Sequence, residues 1–569
     1  MISFLRRFTT KIIGSETHTI TLAAIILAAS ALLADVLGML RDRLLAAQFG
    51  AGRELDIYNA AFRIPDFIFI ILFGSISAAF LPVFSEFRSK NEKDAWRLTN
   101  NLLSLGMVIS ACLSVLLFFV MPFLMPLISP GFSSDEQDMA IKLSRLLLFS
   151  PIFFGISSFF SGILHYFKKF LLFSFAPVIY NLSIIGGVIF LAPTLGVWGV
   201  VLGVIFGAFM HMLIQLPGVL KVGFLPRFLF LPLHPGVRET FFLLLPRVPS
   251  LMIANLNVIA MTAIATTLSV GSLAIFTFAD NLRAVPVGII GVSFATAVFP
   301  NLSQAWAKNE INTFFNILSS VIREVLFLIL PLAVLFIVLR AQIVRVILGS
   351  GRFDWEDTQL TAAALGLFAL GIFAQALIPV FLRAFFAIKD TVTPFVVSIF
   401  CVSINIALAL NMAETLKDQQ SGLFVLFSGS LSLESFSQIS VLALPAAFSI
   451  SAIIQIILLP VAFRIRYGSF FRGEDAAGIL KIFLAALACG AVAFMALRPL
   501  AIILDLNHFY GIFAQGLIAG LSGGLTYILV SWLLKISELN VFVASFRKQF
   551  MPKTIPFSQE NITTSSHIK

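Results

Sequence analysis

Residues 41–67 read RDRLLAAQFGAGRELDIYNAAFRIPDF, and Arg41, Asp42, Arg43, Arg53, Glu54, Asp56, Arg63 and Asp66 crowd around a Gly-Ala-Gly turn at 50–52. That density of charge would be ordinary in a soluble protein. Here it is set in a chain of 569 residues, 59% hydrophobic and 12% charged, with 62 phenylalanines and a mean hydropathy of +1.01. A soluble domain needs about 25% charged residues to cover its surface. The chain therefore reads as a membrane protein, in which charge persists only where a partner or a wet cavity holds it.

Outward from that stretch, apolar runs long enough to cross a bilayer, about 20 residues each, recur along almost the whole length. They leave no room for a sizeable soluble domain. The expected spans are 20–48, 57–83, 99–128, 141–166, 170–192, 196–220, 240–266, 272–302, 314–348, 359–386, 391–412, 438–463, 476–503 and 509–534, fourteen helices of an all-α polytopic fold. An even count puts both termini on one side. That side holds 22 Lys and Arg residues, among them Arg6, Arg7, Arg88, Lys90, Lys168, Lys169, Lys308, Lys389, Arg464 and Arg466. The opposite side has eight: Arg41, Arg43, Arg53, Arg340, Arg345, Arg352, Lys417 and Arg498. By the positive-inside rule both termini are cytoplasmic, and the net charge of +10 reflects topology rather than a nucleic-acid partner. Six of the eight exceptions sit at 41–53 and 340–352, and function is expected there.

The chain also repeats itself. LPVFSEFRSKNE at 81–92 and FPNLSQAWAKNE at 299–310 share Pro, Ser, Lys, Asn and Glu at one spacing; LISPGF at 127–132 and LGSGRF at 348–353 follow one span later in each half. A unit of six spans inserts both copies in the same orientation, the plan of a two-lobed transporter with a central cavity. The expected divisions are an interfacial amphipathic segment at 1–19, lobes at 20–220 and 240–463, two extra spans within 476–534, and a polar, disordered cytoplasmic tail at 540–569. The segment 413–437 reads as an exterior loop.

No phosphate-binding G-x-x-x-x-G-K loop, H-E-x-x-H pair or Cys/His cluster is present, so ATP use, metal hydrolysis and a catalytic centre are not expected. Cys112, Cys401 and Cys489 are isolated in apolar runs. Transport would draw on Na+ or H+ coupling, the membrane potential or the substrate's own gradient. Candidate residues are charges inside spans, each costing about 2.5–3.5 kcal/mol at a helix centre. Inside the spans basic residues predominate, Arg41, Arg63, Arg247, Arg283, Arg323 and Arg383 against Asp35, Asp66, Asp280 and Glu324; the substrate-binding candidates are Arg41, Arg63, Arg247 and Arg283, with Asp42, Asp56, Asp66, Asp280 and Asn281 supporting them. Converging arginines suit a diphosphate or other polyanion, because the guanidinium fork matches phosphate oxygens. Bland readings stand beside these. Arg247, between Pro246 and Pro249, could snorkel to the interface. Asp280 and Arg283 could be a structural i, i+3 pair. Arg323 and Glu324 read as an interface pair, and His211 as a hydrogen bonder between helices rather than a proton relay.

Residues 34–67, together with AFLPVFSEF at 79–87, SPGF at 129–132 and GSLAIFTFADNLRAVPVGIIGVSFATAVFPNLS at 271–303, resemble the MurJ (MviN) family of lipid II flippases, in the multidrug/oligosaccharidyl-lipid/polysaccharide exporter superfamily. The resemblance covers nearly the whole chain. It implies two six-span lobes, two extra spans forming a groove for a polyprenyl tail, a polyprenyl-diphosphate-linked substrate in the bilayer of a bacterial inner membrane, and action as a monomer. It carries Arg41, Asp42, Asp56 and Arg63 over as site residues, and Asn405 as the one nameable ion-coupling candidate. The chain departs from the family pattern at Asp35, at the FIFII stretch 67–71 and at Asn281, where arginines are usual; Arg247 and Arg283 are expected to compensate. The alternatives are a flippase for another polyprenyl-linked saccharide, an ion-coupled exporter, or a non-transporting scaffold.

Overall fold

The computed structural model describes residues 20–550 apart from 75, 232–233, 246–247, 469, 471–472 and 507. Among the described residues the chain is helical with no β-strand. Helix starts follow local chemistry. Asn91 opens Glu92–Ile128 by accepting the Lys93 N–H at 2.9 Å. Ser133 and Glu136 form a capping box on Ser134–Leu147, and Asp354 caps Trp355–Ala369 through the Asp357 N–H at 2.8 Å. Each satisfies an N–H that the first helical turn leaves unpaired.

Among the described residues ten helices are long and apolar enough to span a bilayer, or eleven if Trp355–Ala369 and Ile372–Ala387, bent by 46°, count as one. The expected fourteen is not reached on these grounds. Segment 57–83 falls on two helices, Arg53–Phe73 and Ile76–Lys90, with a turn at Gly74 closing the first. Segment 240–266 is likewise divided between Pro235–Leu244 and Val248–Thr266. The first helix, Ile20–Phe49, carries Asp35, Arg41, Asp42 and Arg43 in its second half and a single charge over 20–37, in keeping with the first expected span. The tail is also corrected: Ser537–Phe550 is helical, tied inward by Glu538, which is 5% exposed. The loop 413–437 contains helix Gly422–Leu431, capped by Ser421. Segments 1–19 and 551–569 lie outside the described residues.

LISPGF follows helix Glu92–Ile128 and leads into a capped helix, and LGSGRF does the same after Arg340–Ile347. The apolar interior is divided unevenly. One cluster draws on both halves of the chain: Leu55, Met121 and Val200 from the first, Leu273, Val344 and Phe368 from the second. Two further clusters draw their buried side chains mainly from one half each, with helix Pro235–Leu244 packing on the first of them. Phe80, Phe84, Leu98 and Phe224 belong to the first half, and Leu302, Phe314, Phe385 and Phe463 to the second. The halves are thus joined by a common core at one end and carry separate cores at the other. The two last long helices, Gly473–Ile503 and Phe509–Leu533, pack on each other and on Ile311–Val338 through Cys489, Ile482, Tyr527 and Phe327. A Cβ on Gly523 would come within 2.8 Å of the Cys489 carbonyl, the close approach that small residues allow between membrane helices.

Candidate functional site

The opening stretch lies where the two halves join. Gly50, in the left-handed region at φ +62°, ends the first helix and lets the chain turn into Arg53–Phe73. Asp56, 1% exposed, accepts from the backbone N–H groups of Gly271 at 2.7 Å and Ala274 at 2.8 Å. These belong to the N-terminus of helix Ser272–Pro286, where unpaired N–H groups and the helix dipole favour a carboxylate. The Ala51 N–H donates to Asp357 at 2.9 Å, the Arg352 N–H to the Ala47 carbonyl at 2.9 Å, and Arg43 Nη1 to the Val346 carbonyl at 2.6 Å. Every one of these contacts has a backbone group on at least one side. A Cβ on Gly271, whose φ is +84°, would stand 1.9 Å from the Ala51 oxygen.

Beneath the seam lies a cavity of about 440 Å³, lined by Arg41, Asp42, Tyr58, Asn59, Arg63, Asp66, Tyr180, His211, Thr277 and Asn281 among others. A second cavity of about 740 Å³ runs between the first helix and the segment 281–293, and includes Asp35, Arg41, Asp42, Asn181 and Asn281. Arg41, Asp42 and Asn281 line both and form the partition. Asp42 accepts from Arg41 Nε at 3.0 Å and Nη2 at 2.8 Å, and from Asn281 Nδ2 at 2.9 Å. Arg41 Nη1 donates to Asn181 Oδ1 at 3.1 Å.

Arg63 differs from Arg41. It donates to Thr262 Oγ1 at 2.9 Å and Thr277 Oγ1 at 3.4 Å, and no carboxylate lies within ion-pair distance of it among the described residues. Its charge is held by hydroxyls of the second half and by Asp66 farther off on the same helix. The guanidinium keeps donor capacity for an anion entering the cavity.

The sequence-predicted set is therefore only partly brought together. Arg41, Asp42, Arg63, Asp66 and Asn281 share the cavity, while Asp56 stands in the seam. Arg283 faces elsewhere. Its guanidinium is taken by Asp280 and Gln375 and packs over the Phe368 and Phe448 rings at 5.0 and 4.4 Å. Arg247 lies outside the described residues. Asn405, 1% exposed, donates to Asn257 Oδ1 at 2.8 Å and leaves its own Oδ1 without a partner. No group of three or more His, Cys, Asp or Glu side chains fit to hold a metal occurs among the described residues. Arg323 pairs not with Glu324 but with Asp475 at 2.6 Å and Glu538 at 3.0 Å. His211 hydrogen-bonds Ser157 at 2.7 Å across two helices. Tyr58, Asn59, Tyr180, Asn181 and Thr277 were not singled out from sequence; the two asparagines, polar residues in apolar helices, carried the available signal.

A helical membrane chain with joined halves, a charged internal cavity and two appended helices has the plan of a two-lobed membrane transporter. Its fold matches a structure titled lipid II flippase MurJ in an inward closed conformation, with TM-score 0.70 and 23% identity over 92% of this chain and 99% of that one. It also matches an inward-facing multidrug resistance MATE family transporter of the MOP superfamily, with TM-score 0.60 and 15% identity over 76% and 94%. The family model "Lipid II flippase MurJ" matches residues 45–517. The chain belongs to the lipid II flippase MurJ family, a family of transporters and not of enzymes. Similar proteins include the lipid II flippase MurJ of Burkholderia cenocepacia, 29% identical over 65% of this chain and 73% of that protein. The probable lipid II flippase MurJ of Rickettsia prowazekii is 28% identical over 70% and 79%.

Proposed function

We propose that this chain moves lipid II from the inner to the outer leaflet of a bacterial cytoplasmic membrane, supplying peptidoglycan synthesis. Two lobes, 20–220 and 240–463, rock about the cavity while both termini stay cytoplasmic, and the chain works as a monomer without ATP. The driving force is a Na+ or H+ gradient or the membrane potential. The observation that carries the reading is Arg63: a cationic fork on the cavity wall, bonded only to neutral hydroxyls, suits the diphosphate of a polyprenyl-linked head group. Arg41, Asp42 and Asn281 form the partition that such a head group has to pass. The common core and the Asp56 seam close the outer end, and the separated cores leave the cytoplasmic end free to part.

The two extra helices supply an apolar surface for the lipid tail outside the lobes. Asn281 and Asp35 at positions where the family has arginine favour one second reading, a different saccharide on the same diphosphate carrier. Native mass spectrometry of the purified protein tests both. Lipid II retention falling about tenfold in Arg63→Gln supports the site; unchanged retention overturns it, and equal retention of undecaprenyl diphosphate bearing another glycan supports the second reading.

A further inference from the structure

The basic cluster at 340–352, the second exception to the charge pattern, is not absorbed by the transport cavity. Arg340 and Arg345 of helix Arg340–Ile347 line a separate cavity of about 380 Å³. Its far wall is apolar and comes from the appended helices and their connection: Phe494, Leu497, Leu506 and Ile512. Neither arginine has a carboxylate within ion-pair distance among the described residues. Arg340 Nη1 donates to the Ile337 carbonyl at 3.1 Å, and the Arg345 guanidinium lies 5.2 Å from the centre of the Trp355 ring. Between them in sequence, Gln342 donates to Gln515 Oε1 at 3.1 Å while its own buried Oε1 has no partner. Space for the Arg340 stem is kept by Gly366, where a Cβ would meet the Arg340 Cδ at 2.9 Å.

Two guanidiniums without acids beside an apolar wall call for an amphiphilic anion. Trp355 and Phe494 are 56% and 55% exposed at this cavity, and exposed aromatic rings of this kind favour the boundary between head groups and acyl chains. We propose that this cavity is a second lipid site, distinct from the transport chamber, which binds the phosphate of a membrane lipid through Arg340 and Arg345 with the lipid's chain along Phe494 and Ile512. The phosphate belongs either to an acidic phospholipid or to a polyprenyl diphosphate. Occupancy bears on the seam, because the carbonyl of Val346 on the same short helix receives the Arg43 hydrogen bond at 2.6 Å.

The test is lipid retention by the full chain in native mass spectrometry, with phosphatidylglycerol, phosphatidylcholine and undecaprenyl diphosphate as separate probes. Arg340→Gln/Arg345→Gln retains about tenfold less phosphatidylglycerol than wild type, with phosphatidylcholine unchanged. A fall confined to undecaprenyl diphosphate supports the site and assigns it to the carrier lipid. Retention of both anionic lipids at wild-type level overturns the proposal. The single variants Arg345→Gln and Arg345→Lys guard against misfolding. Lysine keeps the charge without the fork and gives intermediate retention, whereas two singles that both bind as wild type overturn the site. Arg63→Gln, run in parallel, tests the transport chamber alone, so failure of one reading is distinguishable from failure of the other.

Discussion

The Asp56 carboxylate holds the N-terminus of helix Ser272–Pro286 from across the molecule, one oxygen on the Gly271 N–H at 2.7 Å and the other on the Ala274 N–H at 2.8 Å. A side chain of the first half thus caps a helix of the second. Asp56→Asn replaces one acceptor with a donor facing an N–H. Hydrogen bonds to a charged group are worth about 1.5–3 kcal/mol, so the closed seam weakens at least about tenfold relative to an open one. Spin labels at Glu54→Cys and Glu356→Cys, both exposed and on opposite sides of the seam, report this as growth of the long-distance population; an unchanged distribution refutes it.

Gly271→Ala attacks the same seam sterically. Its φ of +84° and the Ala51 oxygen 1.9 Å from the added Cβ leave no room to close. The cost exceeds about 1 kcal/mol, the level at which an L-residue forced into positive φ becomes destabilising. The same spin-label pair should show an open seam, with a lower thermal midpoint.

Arg63→Lys keeps the positive charge but cannot reach Thr262 and Thr277 with one planar fork. Lipid II translocation in proteoliposomes should fall between wild type and Arg63→Gln. A lysine variant as active as wild type would show that the fork is irrelevant.

Arg323→Gln strands Asp475 and Glu538, 7% and 5% exposed on their side chains. Removing one partner of a buried ion cluster costs about 3–5 kcal/mol, reduced here because Arg323 itself is 25% exposed. Helix Ser537–Phe550 should detach first, seen as proteolytic cleavage near Lys535 at a protease concentration that leaves wild type intact. Adding Asp475→Asn and Glu538→Gln should restore much of the lost midpoint.

The cluster at 41–67 was legible as functional because charge in so apolar a chain needs a reason to stay. What holds it was less legible. Asp56 is met by backbone N–H groups of Gly271 and Ala274, which leave no side-chain signature. Arg283 shows the converse: the i, i+3 spacing to Asp280 is plain in sequence, but Gln375, Phe368 and Phe448, which take up the rest of its guanidinium, come from distant helices. Hydropathy located the apolar segments and missed the turns at Gly74 and Leu245, since a turn inside an apolar run changes neither composition nor length. The helix running from Ser537 into the expected tail at 540–569 was hidden likewise, because Arg323, the partner of Glu538, is more than two hundred residues away.

The common core has a thermodynamic consequence. Opening the outer end divides a single apolar cluster that includes Leu55, Val200, Leu273 and Phe368, whereas parting the other end only separates surfaces whose cores are already complete. In the proposed orientation an empty carrier therefore idles with its outer door shut. Leakage of small ions between cycles is suppressed by the apolar interior itself, and energy input is concentrated in one half of each stroke.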